Sequence, residues 1–400
     1  MIAAILGGGA SGMMAARTAL ENGHTVHLFE RQARLGKKLM STGNGRCNLS
    51  NRNAAVSHYH GADPAFCAYA LGQFGVEATL SYFRTLGLIC VEEDEGRIYP
   101  FSNSANSVVD TLRLALEQSD CQLHLGCEVQ AIERKNGQFL IKTNGEMVSV
   151  QKVIVACGGL AGSAQGGTKS GYALLTGLGH TCSRLYPALT QLRTDRTWVK
   201  SLKGVRCEAA VTLYEGGRPL AREQGEVQFT DFGISGPCVF SLARACTGKN
   251  LRAVLDLCPI LTEEEIISHL ALRKASFPQL TAENLLTGLL HNRLGRTLVR
   301  ACGLSLETPL CEISDLSVIA KTVKAFSLPV EGAMDLSQAQ VTAGGILTRD
   351  FDPKTMESRL VPGLYATGEV LDIDGDCGGY NLQWAWSSGH LAGQLRGSGL

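Results

Sequence analysis

The first thirty residues show a regular order of apolar and glycine-rich segments. Ile2–Leu6 is a short apolar run that leads directly into the glycine-rich segment Gly7–Gly12. Met13–Asn22 is predicted as a helix, and it stops before Gly23, a residue type that is common just after helices. Thr25–Glu30 is a second apolar run with an acidic residue at its end. The pattern predicts a strand, a glycine loop, a helix and a second strand in one α/β unit.

The glycines of this loop have the spacing G-x-G-x-x-G of a dinucleotide-binding site. Gly7 allows the tight turn, Gly9 lets the backbone approach a pyrophosphate, and Gly12 lets the helix pack on the strand. The N–H groups and the positive dipole end of the helix favour the diphosphate. Glu30 is placed to accept hydrogen bonds from the adenosine ribose. We therefore predict a dinucleotide site, which at this point fits a flavin and a nicotinamide equally.

Two later segments favour a flavin. In residues 128–150 two Asn-Gly turns separate three β-rich runs, which predicts a three-stranded antiparallel meander. A strand that ends in Ala156-Cys157-Gly158-Gly159 follows at once. With the later run Gly363–Glu369, this arrangement resembles the FAD domain of the two-dinucleotide-binding-domain flavoproteins. The closing strand of that domain ends in an acid at the ribityl chain, which is Asp in many relatives and Glu369 here.

A second glycine loop follows this strand. Asp376–Trp386 contains Gly378-Gly379 and predicts a helix that continues to about Leu395. A helix N-terminus at the flavin N1–C2=O edge would stabilise the negative charge that collects there on reduction. The alternative is a glycine-capped terminal helix that only closes the domain.

The alternation of helices and strands is lost in the middle of the chain. Val205–Tyr214 and Glu226–Thr230 are predicted as hairpin strands around Gly216-Gly217, and Leu251–Leu257 as a further strand. Thr262 is a predicted N-cap, followed by an acidic first turn. We predict a discontinuous FAD-binding domain (1–183 and 342–400) and an inserted domain at 184–341. The insert is β-rich at 184–261 and 327–341 and helical at 262–326.

Composition and charge exclude several classes of protein. The 400 residues carry 37 basic and 37 acidic side chains, whereas nucleic-acid binders normally have a basic excess. No apolar stretch reaches the length of a membrane span, and no signal peptide is recognisable, so we expect a cytoplasmic protein. The 14 cysteines form no C-x-x-C pair, so we expect free thiols and no metal site. Glycine, at 46 residues, is enriched, as in proteins whose backbone packs against a cofactor.

Several further motifs cover nearly the whole chain. They are Gly36–Ser41, Gly43–Asn51, Gly96–Pro100, Gly171-Tyr172, Phe229–Pro237, Thr342–Gly345, Thr355–Glu357 and Gly378–Gly389. With the N-terminal fingerprint, they resemble the YhiN/BaiN/aminoacetone oxidase-like family of bacterial FAD-dependent oxidoreductases. The segment Ala161–Gly167 departs from the family, whose members tend to have a proline and a Gly-Ser/Ala-Thr pattern there.

The fingerprint and the resemblance together imply a set of FAD-binding residues. They are Gly7, Gly9, Ala10, Ser11, Gly12, Glu30, Arg31, Lys38, Ser41, Gly43, Asn44, Gly45, Arg46, Cys47, Asn48, Val129, Ala156, Cys157, Gly158, Gly368, Glu369, Gly379, Tyr380, Asn381 and Leu382. Arg46 is a candidate to balance phosphate or reduced-flavin charge and Asn48 to bind a flavin carbonyl, although a structural turn network explains both equally well. For Cys47 a packing role is favoured over a redox role.

No catalytic residue is named from the sequence. His180 is a candidate proton donor, but an exposed or capped histidine is the commoner outcome. His58 and His60 are the closest histidine pair, and their spacing does not favour a metal.

The resemblance implies an FAD-dependent oxidoreductase that exchanges hydride between flavin N5 and a small organic substrate held by the insert. One version reduces an activated C=C bond with NAD(P)H as a transient electron donor, and another is an amine or amino ketone oxidase that uses oxygen. The alternative class is a flavin-containing RNA- or protein-binding module, with basic residues on the helices of the insert. The candidate RNA contacts are Arg273, Lys274, Arg293, Arg296 and Arg300. A second basic cluster at the entrance to the insert could attract an anionic substrate; it comprises Arg184, Arg193, Arg196, Lys200, Lys203 and Arg206.

Overall fold

A computed structural model describes residues 1–397 and divides them into two compact units. Unit 1 consists of Met1–Tyr186 with the chain from Leu336 onward, and unit 2 is Pro187–Asp335. The predicted insert, 184–341, is slightly wider than unit 2. Within the described residues no helix is long and apolar enough to cross a membrane.

The strands are β1 (Ile2–Leu6), β2 (Thr25–Glu30), β3 (Ser50–Asn51), β4 (Tyr59–His60), β5 (Cys90–Glu92), β6 (Arg97–Pro100), β7 (Gln122–Leu125), β8 (Val129–Lys135), β9 (Gln138–Thr143), β10 (Met147–Val150), β11 (Lys152–Val155), β12 (Tyr186–Ala188), β13 (Leu192–Thr194), β14 (Arg206–Glu215), β15 (Arg218–Phe229), β16 (Gly233–Ser235), β17 (Leu251–Asp256), β18 (Phe326–Ala333), β19 (Val341–Ala343), β20 (Leu364–Ala366) and β21 (Asp374–Gly375). The α-helices are α1 (Ala10–Glu21), α2 (Ala68–Gln73), α3 (Val76–Thr85), α4 (Ala105–Glu117), α5 (Ser170–Gly177), α6 (Arg196–Val199), α7 (Pro237–Leu242), α8 (Glu263–Ser276), α9 (Asn292–Ala301), α10 (Ser317–Lys324) and α11 (Tyr380–Gly393).

Unit 1 is built on a five-stranded parallel sheet with the order β20-β11-β1-β2-β7. The central strands are apolar throughout, as in parallel sheets covered on both faces, and Ala3–Leu6 of β1 is buried. The helix after β1 begins at Ala10, three residues before its predicted start at Met13. The chain already turns into the helix at its N-cap, Gly9. The predicted strand, glycine loop, helix and strand are all present.

The predicted meander is also present in unit 1. β8, β9 and β10 form an antiparallel sheet with the order β10-β9-β8. Asn136 has φ +51° and Gly137 φ +77° in the first turn. Both central residues are therefore left-handed, which is why Asn-Gly is favoured at such a turn.

The terminal helix α11 packs tightly on α1. A Cβ on Gly389 would lie 2.5 Å from the carbonyl oxygen of Ser11, and a Cβ on Gly393 would lie 2.5 Å from that of Ala15. The two glycines are four residues apart, so they share one face of α11. Close approach of the two backbones therefore requires glycine at both positions, and it brings two helices preceded by glycine loops together in one unit.

Unit 2 is a closed barrel of six strands, ordered β13-β16-β15-β14-β17-β18. The β14–β15 hairpin turns at Gly216-Gly217 as predicted, but β15 begins at Arg218 rather than at Glu226. The residues at the start of β15 are polar, so the apolar pattern did not predict that they form a strand. They form one because they pair with β14. Helix α7 ends at Leu242 and is followed by a short 3-10 turn, Ala243–Ala245.

The helical part of unit 2 begins as the sequence indicates. Thr262 accepts a hydrogen bond from the Glu265 N–H at 3.2 Å, and the Glu265 carboxylate accepts one from the Thr262 N–H at 2.7 Å. This reciprocal capping box satisfies two N–H groups that the first turn leaves without helical partners. Apolar side chains of α8, α9 and α10 are buried in one core with those of the barrel.

Candidate functional site: two glycine loops in unit 1

The loop before α1 is shaped by backbone contacts that only glycine allows. Gly7 has φ +111°, and a Cβ there would lie 2.4 Å from the Ala156 carbonyl oxygen. A Cβ on Gly12 would lie 1.9 Å from the Gly7 carbonyl oxygen. Gly9, by contrast, has no atom within 4 Å of its Cβ position. Two glycines are thus needed for packing, and the third leaves open space beside the start of α1.

The Glu30 carboxylate is held at the end of β2 by two backbone amides. The Gly8 N–H donates to Oε2 at 2.8 Å, and the Gln32 N–H donates to Oε1 at 2.7 Å. Each oxygen retains a lone pair for a further donor. The neighbouring Arg31 guanidinium donates to the Gly166 carbonyl oxygen at 2.9 Å.

A solvent-open cleft lies beside Glu30. Its lining residues come from the ends of β1, β2 and β11, the start of β8 and the segment around α5: Leu6, Gly7, Phe29, Glu30, Arg31, Cys127, Glu128, Val129, Cys157, Gly166, Thr168, Ser170 and Leu174. The cleft lies at the carboxyl ends of parallel strands, where ligands bind in open α/β sheets. Gly158, next to Cys157, has φ +69° and no atom within 4 Å of its Cβ position.

Lys38 and Glu369 form an ion pair in unit 1. Lys38 Nζ lies 2.7 Å from Glu369 Oε2, and both side chains are largely buried, with 31% and 20% exposed. The Thr342 N–H donates to Glu369 Oε1 at 2.8 Å. Ser41 is exposed, and its hydroxyl donates to the Lys38 carbonyl oxygen at 2.8 Å. Glu369 is thus anchored by an amide and a cation from two distant segments.

The loop 43–48 has an unusual backbone. Gly43, Asn44, Gly45 and Cys47 all have positive φ, between +55° and +85°. For Cys47, a left-handed φ is rare and is held by burial, because its side chain is fully buried. Burial also raises the pKa of the Cys47 thiol to about 12, which keeps it protonated and inert.

The Arg46 side chain is engaged by protein groups. Its guanidinium donates to Glu93 and to Asn103 and lies 4.0 Å above the centre of the Tyr99 ring. The sequence left two roles open for Arg46, a charge contact to the cofactor and a structural turn network. These contacts to protein groups favour the turn network.

Asn48 connects the 43–48 loop to the glycine loop before α11. With its amide oriented to satisfy both neighbours, it donates to the Ser50 carbonyl oxygen at 3.0 Å and accepts from the Gly379 N–H at 3.3 Å. Gly379, the N-cap of α11, has φ +101°, and a Cβ there would lie 2.3 Å from the Ser50 carbonyl oxygen. The N-terminus of α11 therefore rests directly on the segment after the 43–48 loop.

The loop before α11 is held by the side chain of Asn381. Its Oδ1 accepts from the Gly375 N–H at 2.8 Å, and its Nδ2 donates to the carbonyl oxygens of Gly375 at 2.8 Å and Asp376 at 3.3 Å. Tyr380 is buried, and Leu382 is half-buried. Because the Asn381 amide is occupied, only its backbone is available to a ligand.

A histidine–aspartate–histidine set, which the sequence did not reveal, supports the same loop. His58 Nδ1 lies 3.0 Å from Asp376 Oδ2, and His60 Nε2 lies 2.7 Å from Asp376 Oδ1. Burial alone would raise the pKa of Asp376, but hydrogen bonds from the two imidazoles outweigh it and lower that pKa. The His58 ring stacks on Tyr380 at 4.4 Å. The i, i+2 spacing of the histidines was the available signal, but Asp376 joins them only through the pairing of β4 with β21.

His180 is part of the core. Its Nδ1 lies 3.1 Å from the Leu175 carbonyl oxygen, its Nε2 lies 2.8 Å from Ser358 Oγ, and its ring stacks on Phe351. Burial lowers its pKa, so the imidazole is held neutral. A proton-donor role is not supported by this environment.

Most of the predicted residues thus fall into two groups within unit 1. The first surrounds the start of α1 and the cleft: Gly7, Gly9, Ala10, Ser11, Gly12, Glu30, Arg31, Val129, Ala156, Cys157, Gly158 and Gly368. In this group a Cβ on Gly368 would lie 2.6 Å from Ser11 Oγ. The second surrounds the start of α11: Asn48, Gly379, Tyr380, Asn381 and Leu382. The Lys38–Glu369 pair, Ser41 next to Lys38 and the 43–47 loop complete the set.

Comparison with known proteins decides the family. The model of the family described as "HI0933-like protein Rossmann domain" matches residues 2–395. The chain belongs to the HI0933-like family. The prediction of the family and of the α/β fold class with a Rossmann-type dinucleotide-binding domain is confirmed.

Two curated relatives cover this HI0933-like chain almost completely. It is 37% identical over 399 residues to the 3-dehydro-bile acid delta(4,6)-reductase of Clostridium scindens, covering 98% of this chain and 97% of the relative. It is 28% identical over 401 residues to the ribosomal RNA dihydrouridine synthase of Escherichia coli, with the same coverage. A solved structure of 3-ketosteroid delta1-dehydrogenase from Sterolibacterium denitrificans is similar with TM-score 0.48 and 14% identity, covering 98% of both chains. The prediction that this chain is an enzyme of the oxidoreductase class is confirmed.

Proposed function

We propose that this protein is an FAD-dependent reductase of a C=C bond conjugated to a carbonyl group in a small organic substrate. The observation that carries the proposal is the 37% identity, over nearly the whole of both chains, to a relative named as a delta(4,6)-reductase of a 3-dehydro-bile acid. The dinucleotide loop and the cleft of unit 1 supply the matching chemistry.

The residues present fit an FAD molecule. The open space at Gly9 and at Gly158 is what close approach of a ligand to backbone requires, and Gly7 and Cys157 beside them line the solvent-open cleft. We infer that the amides of Gly9, Ala10 and Ser11 would hold the diphosphate, because α1 has no side-chain cap and no acidic residue in its first turn. Glu30 would accept the ribose hydroxyls while the Gly8 and Gln32 amides keep its carboxylate in place.

The remaining contacts have different roles. Lys38 keeps Glu369 oriented, so that the carboxylate would bind a ribityl hydroxyl without turning towards water. The N-terminus of α11 presents amides from a loop that Asn381 and Asn48 hold rigid. Positive partial charge at that helix end stabilises a reduced, anionic ring. When bound, FAD supplies hydride chemistry at N5.

We propose that NADH or NADPH reduces the flavin by a transient visit. Residues 1–397 contain a single G-x-G-x-x-G between a strand and a helix, so a nicotinamide would not have its own domain of this type.

An anaerobic experiment tests this proposal. The purified protein is expected to show flavin absorbance near 370 and 450 nm. These bands should bleach on addition of NADH or NADPH and recover on addition of a steroid 4,6-dien-3-one. A colourless protein that takes up no FAD contradicts the cofactor assignment. Bands that persist with both nicotinamides, but bleach with an amine or amino ketone and recover in air, favour the oxidase.

A second candidate function is reduction of a uracil C=C bond in ribosomal RNA, favoured by 28% identity to a relative of that name. Four of the five candidate RNA-contacting side chains of unit 2 are engaged inside it. Arg273 donates to the Asn284 carbonyl oxygen, Lys274 to that of Ile313, and Arg293 to those of Ser201 and Lys203, while Arg296 pairs with Glu283. Retention on heparin at low salt and formation of dihydrouridine in ribosomal RNA would favour this candidate.

A further inference from the structure

Three neighbouring side chains in unit 2 carry buried polar atoms that have no hydrogen-bond partner in the described chain. They are Thr190 Oγ1, Gln191 Oε1 and the Nε of Arg193. Thr190 is 2% exposed. Leaving such a group unsatisfied is costly, and native proteins rarely do so without an ion, a water or a ligand to satisfy it. Three such atoms within four residues therefore mark a place where a polar partner would bind.

The backbone of the same segment is strained. Leu189 has φ +50°, which is an outlier for a bulky side chain, and the pairing of β13 with β18 shifts register between Arg193 and Thr194. Left-handed residues and bulges concentrate at functional sites, because they re-aim side chains that regular strands would place elsewhere. The left-handed residue thus precedes the three side chains with unpartnered atoms, and the register shift follows them.

The two strands beside Arg193 have glycine opposite it. Arg193 is opposite Gly332 on β18 and opposite Gly233 on β16, so neither neighbour has a side chain. A Cβ on Gly332 would lie 3.5 Å from a terminal nitrogen of Arg193. In the described residues no carboxylate forms an ion pair with Arg193, although the side chain is half-buried. A half-buried, unpaired arginine between two glycines is built to receive a planar anion.

We propose that Thr190, Gln191 and Arg193 form a recognition site for the carboxylate of an organic acid that also carries a hydroxyl group. The inference rests on the proposed function and adds the substrate class to it. The guanidinium would bind the carboxylate, the Thr190 hydroxyl would donate to it, and Gln191 Oε1 would accept from the ligand hydroxyl. The set has one positive charge, which matches the single negative charge of a carboxylate.

Calorimetric titration of the FAD-loaded protein tests the site without turnover. The probes are cholate, which has a carboxylate and hydroxyl groups, and its methyl ester. Cholate should bind about tenfold more weakly to Arg193→Gln than to the wild type, the loss of a charge-assisted hydrogen bond. Methyl cholate should bind both proteins equally. Arg252→Gln, an exposed arginine of the same barrel, is the matched control and should leave both titrations unchanged.

Thr190→Val separates recognition from a structural role. It removes an unsatisfied buried oxygen with little change of shape, so the unfolding temperature should stay equal or rise while cholate binding weakens about threefold. A fall in unfolding temperature with unchanged cholate binding would overturn the inference. So would equal weakening of the acid and the ester by Arg193→Gln, or the absence of any cholate binding to the wild type.

The inference and the proposed function fail in different ways. If cholate binding depends on Arg193 but a steroid 4,6-dien-3-one is not reduced, the recognition site stands and the proposed reaction is wrong. If the dienone acid is reduced and Arg193→Gln leaves the ratio of KM values for acid and methyl ester unchanged, the reaction stands and the site is wrong.

Discussion

The two glycine loops of unit 1 both precede a long helix, yet different forces hold them. The loop before α1 is set by steric contact of backbone with backbone, since Cβ atoms at Gly7 and Gly12 would overlap carbonyl oxygens. The loop before α11 is held by side chains: Asn381, in the first turn of α11, binds its backbone three times, and the distant His58 and His60 hold Asp376.

This difference has a consequence for function. A loop shaped by glycine contacts presents amides with few side chains nearby, which suits a diphosphate. A loop held by side chains can be adjusted through those side chains, which suits the tuning of a ring system. The first loop should therefore not tolerate an added atom at Gly7 or Gly12, and the second should respond gradually to loss of hydrogen bonds.

The largest effect is expected from Gly12→Ala. Its Cβ would overlap the Gly7 carbonyl oxygen at 1.9 Å, and neither backbone can move without breaking the α1–β1 contact. We expect unfolding free energy to fall by about 4 kcal/mol or more, with loss of bound FAD. Chemical denaturation and the FAD content of the purified protein measure this.

Gly9→Ala is the matched control for that variant. Gly9 has φ −80° and no atom within 4 Å of its Cβ position, so stability should change by less than about 0.5 kcal/mol. FAD affinity should nevertheless fall, because the methyl group enters the space assigned to the diphosphate. Unchanged affinity would contradict that assignment.

Asn381→Ala should have the next largest effect. It removes the hydrogen bonds to Gly375 and Asp376, and we expect a loss of about 2 kcal/mol in unfolding free energy. Faster hydrogen exchange should be confined to residues 374–381. Asn381→Asp keeps the acceptor for the Gly375 N–H and should recover part of the loss. An equal loss in both variants would mean that the donor bonds alone hold the loop.

Lys38→Met tests whether the Glu369 carboxylate, which pairs with Lys38, contacts FAD. Without its cation, Glu369 is left largely buried with a single amide donor, and FAD affinity should fall about tenfold, or about 1.4 kcal/mol. Fluorescence titration of the apoprotein with FAD measures this. Lys203→Met removes an exposed ion pair with Asp231 and serves as the control, with no expected change. Equal FAD affinity in Lys38→Met and the wild type would exclude Glu369 from the FAD contacts.

The smallest effect is expected from the His58–Asp376–His60 set. Because the pKa of Asp376 is lowered in the folded state, its contribution is present above the ordinary aspartate pKa of about 3.9 and is lost as pH falls below it. Asp376→Asn should therefore cost about 0.5 kcal/mol at pH 7 and less at pH 3. Urea unfolding at both pH values measures this, and a variant effect that is independent of pH would contradict the ionic role of Asp376.

Much of unit 1 could be predicted from the sequence. The strand, loop, helix and strand at residues 2–30 and the meander with its Asn-Gly turn depend on contacts between near neighbours. Turn chemistry and apolar periodicity record such contacts directly. The predictions of where α1 and β15 begin were wrong. Gly9, the N-cap of α1, has no side chain, and the first residues of β15 are polar, so neither start has a recognisable sequence signal.

The candidate site could be predicted only in outline. Gly7 and Gly12 allow close backbone contacts, and Glu30 accepts hydrogen bonds from backbone amides. The spacing of these residues is typical of this loop, so the sequence predicts them. Asn48 and Asn381 were named as cofactor residues, but their side chains bind the protein itself. The partner of Asn48 is Gly379, more than 300 residues away, and sequence alone cannot distinguish an amide that faces a ligand from one that faces such a distant loop.

By itself, the sequence of this protein determined local geometry: where strands and helices form, which turns need glycine, and that a dinucleotide loop precedes α1. The tertiary structure alone decided which distant groups meet, among them Lys38 with Glu369, His58 with Asp376, and Arg193 with two facing glycines. The physical reason is range. Steric limits on φ and ψ and the burial of neighbouring side chains act within a few residues, whereas strand register and barrel closure bring together residues that share no local pattern.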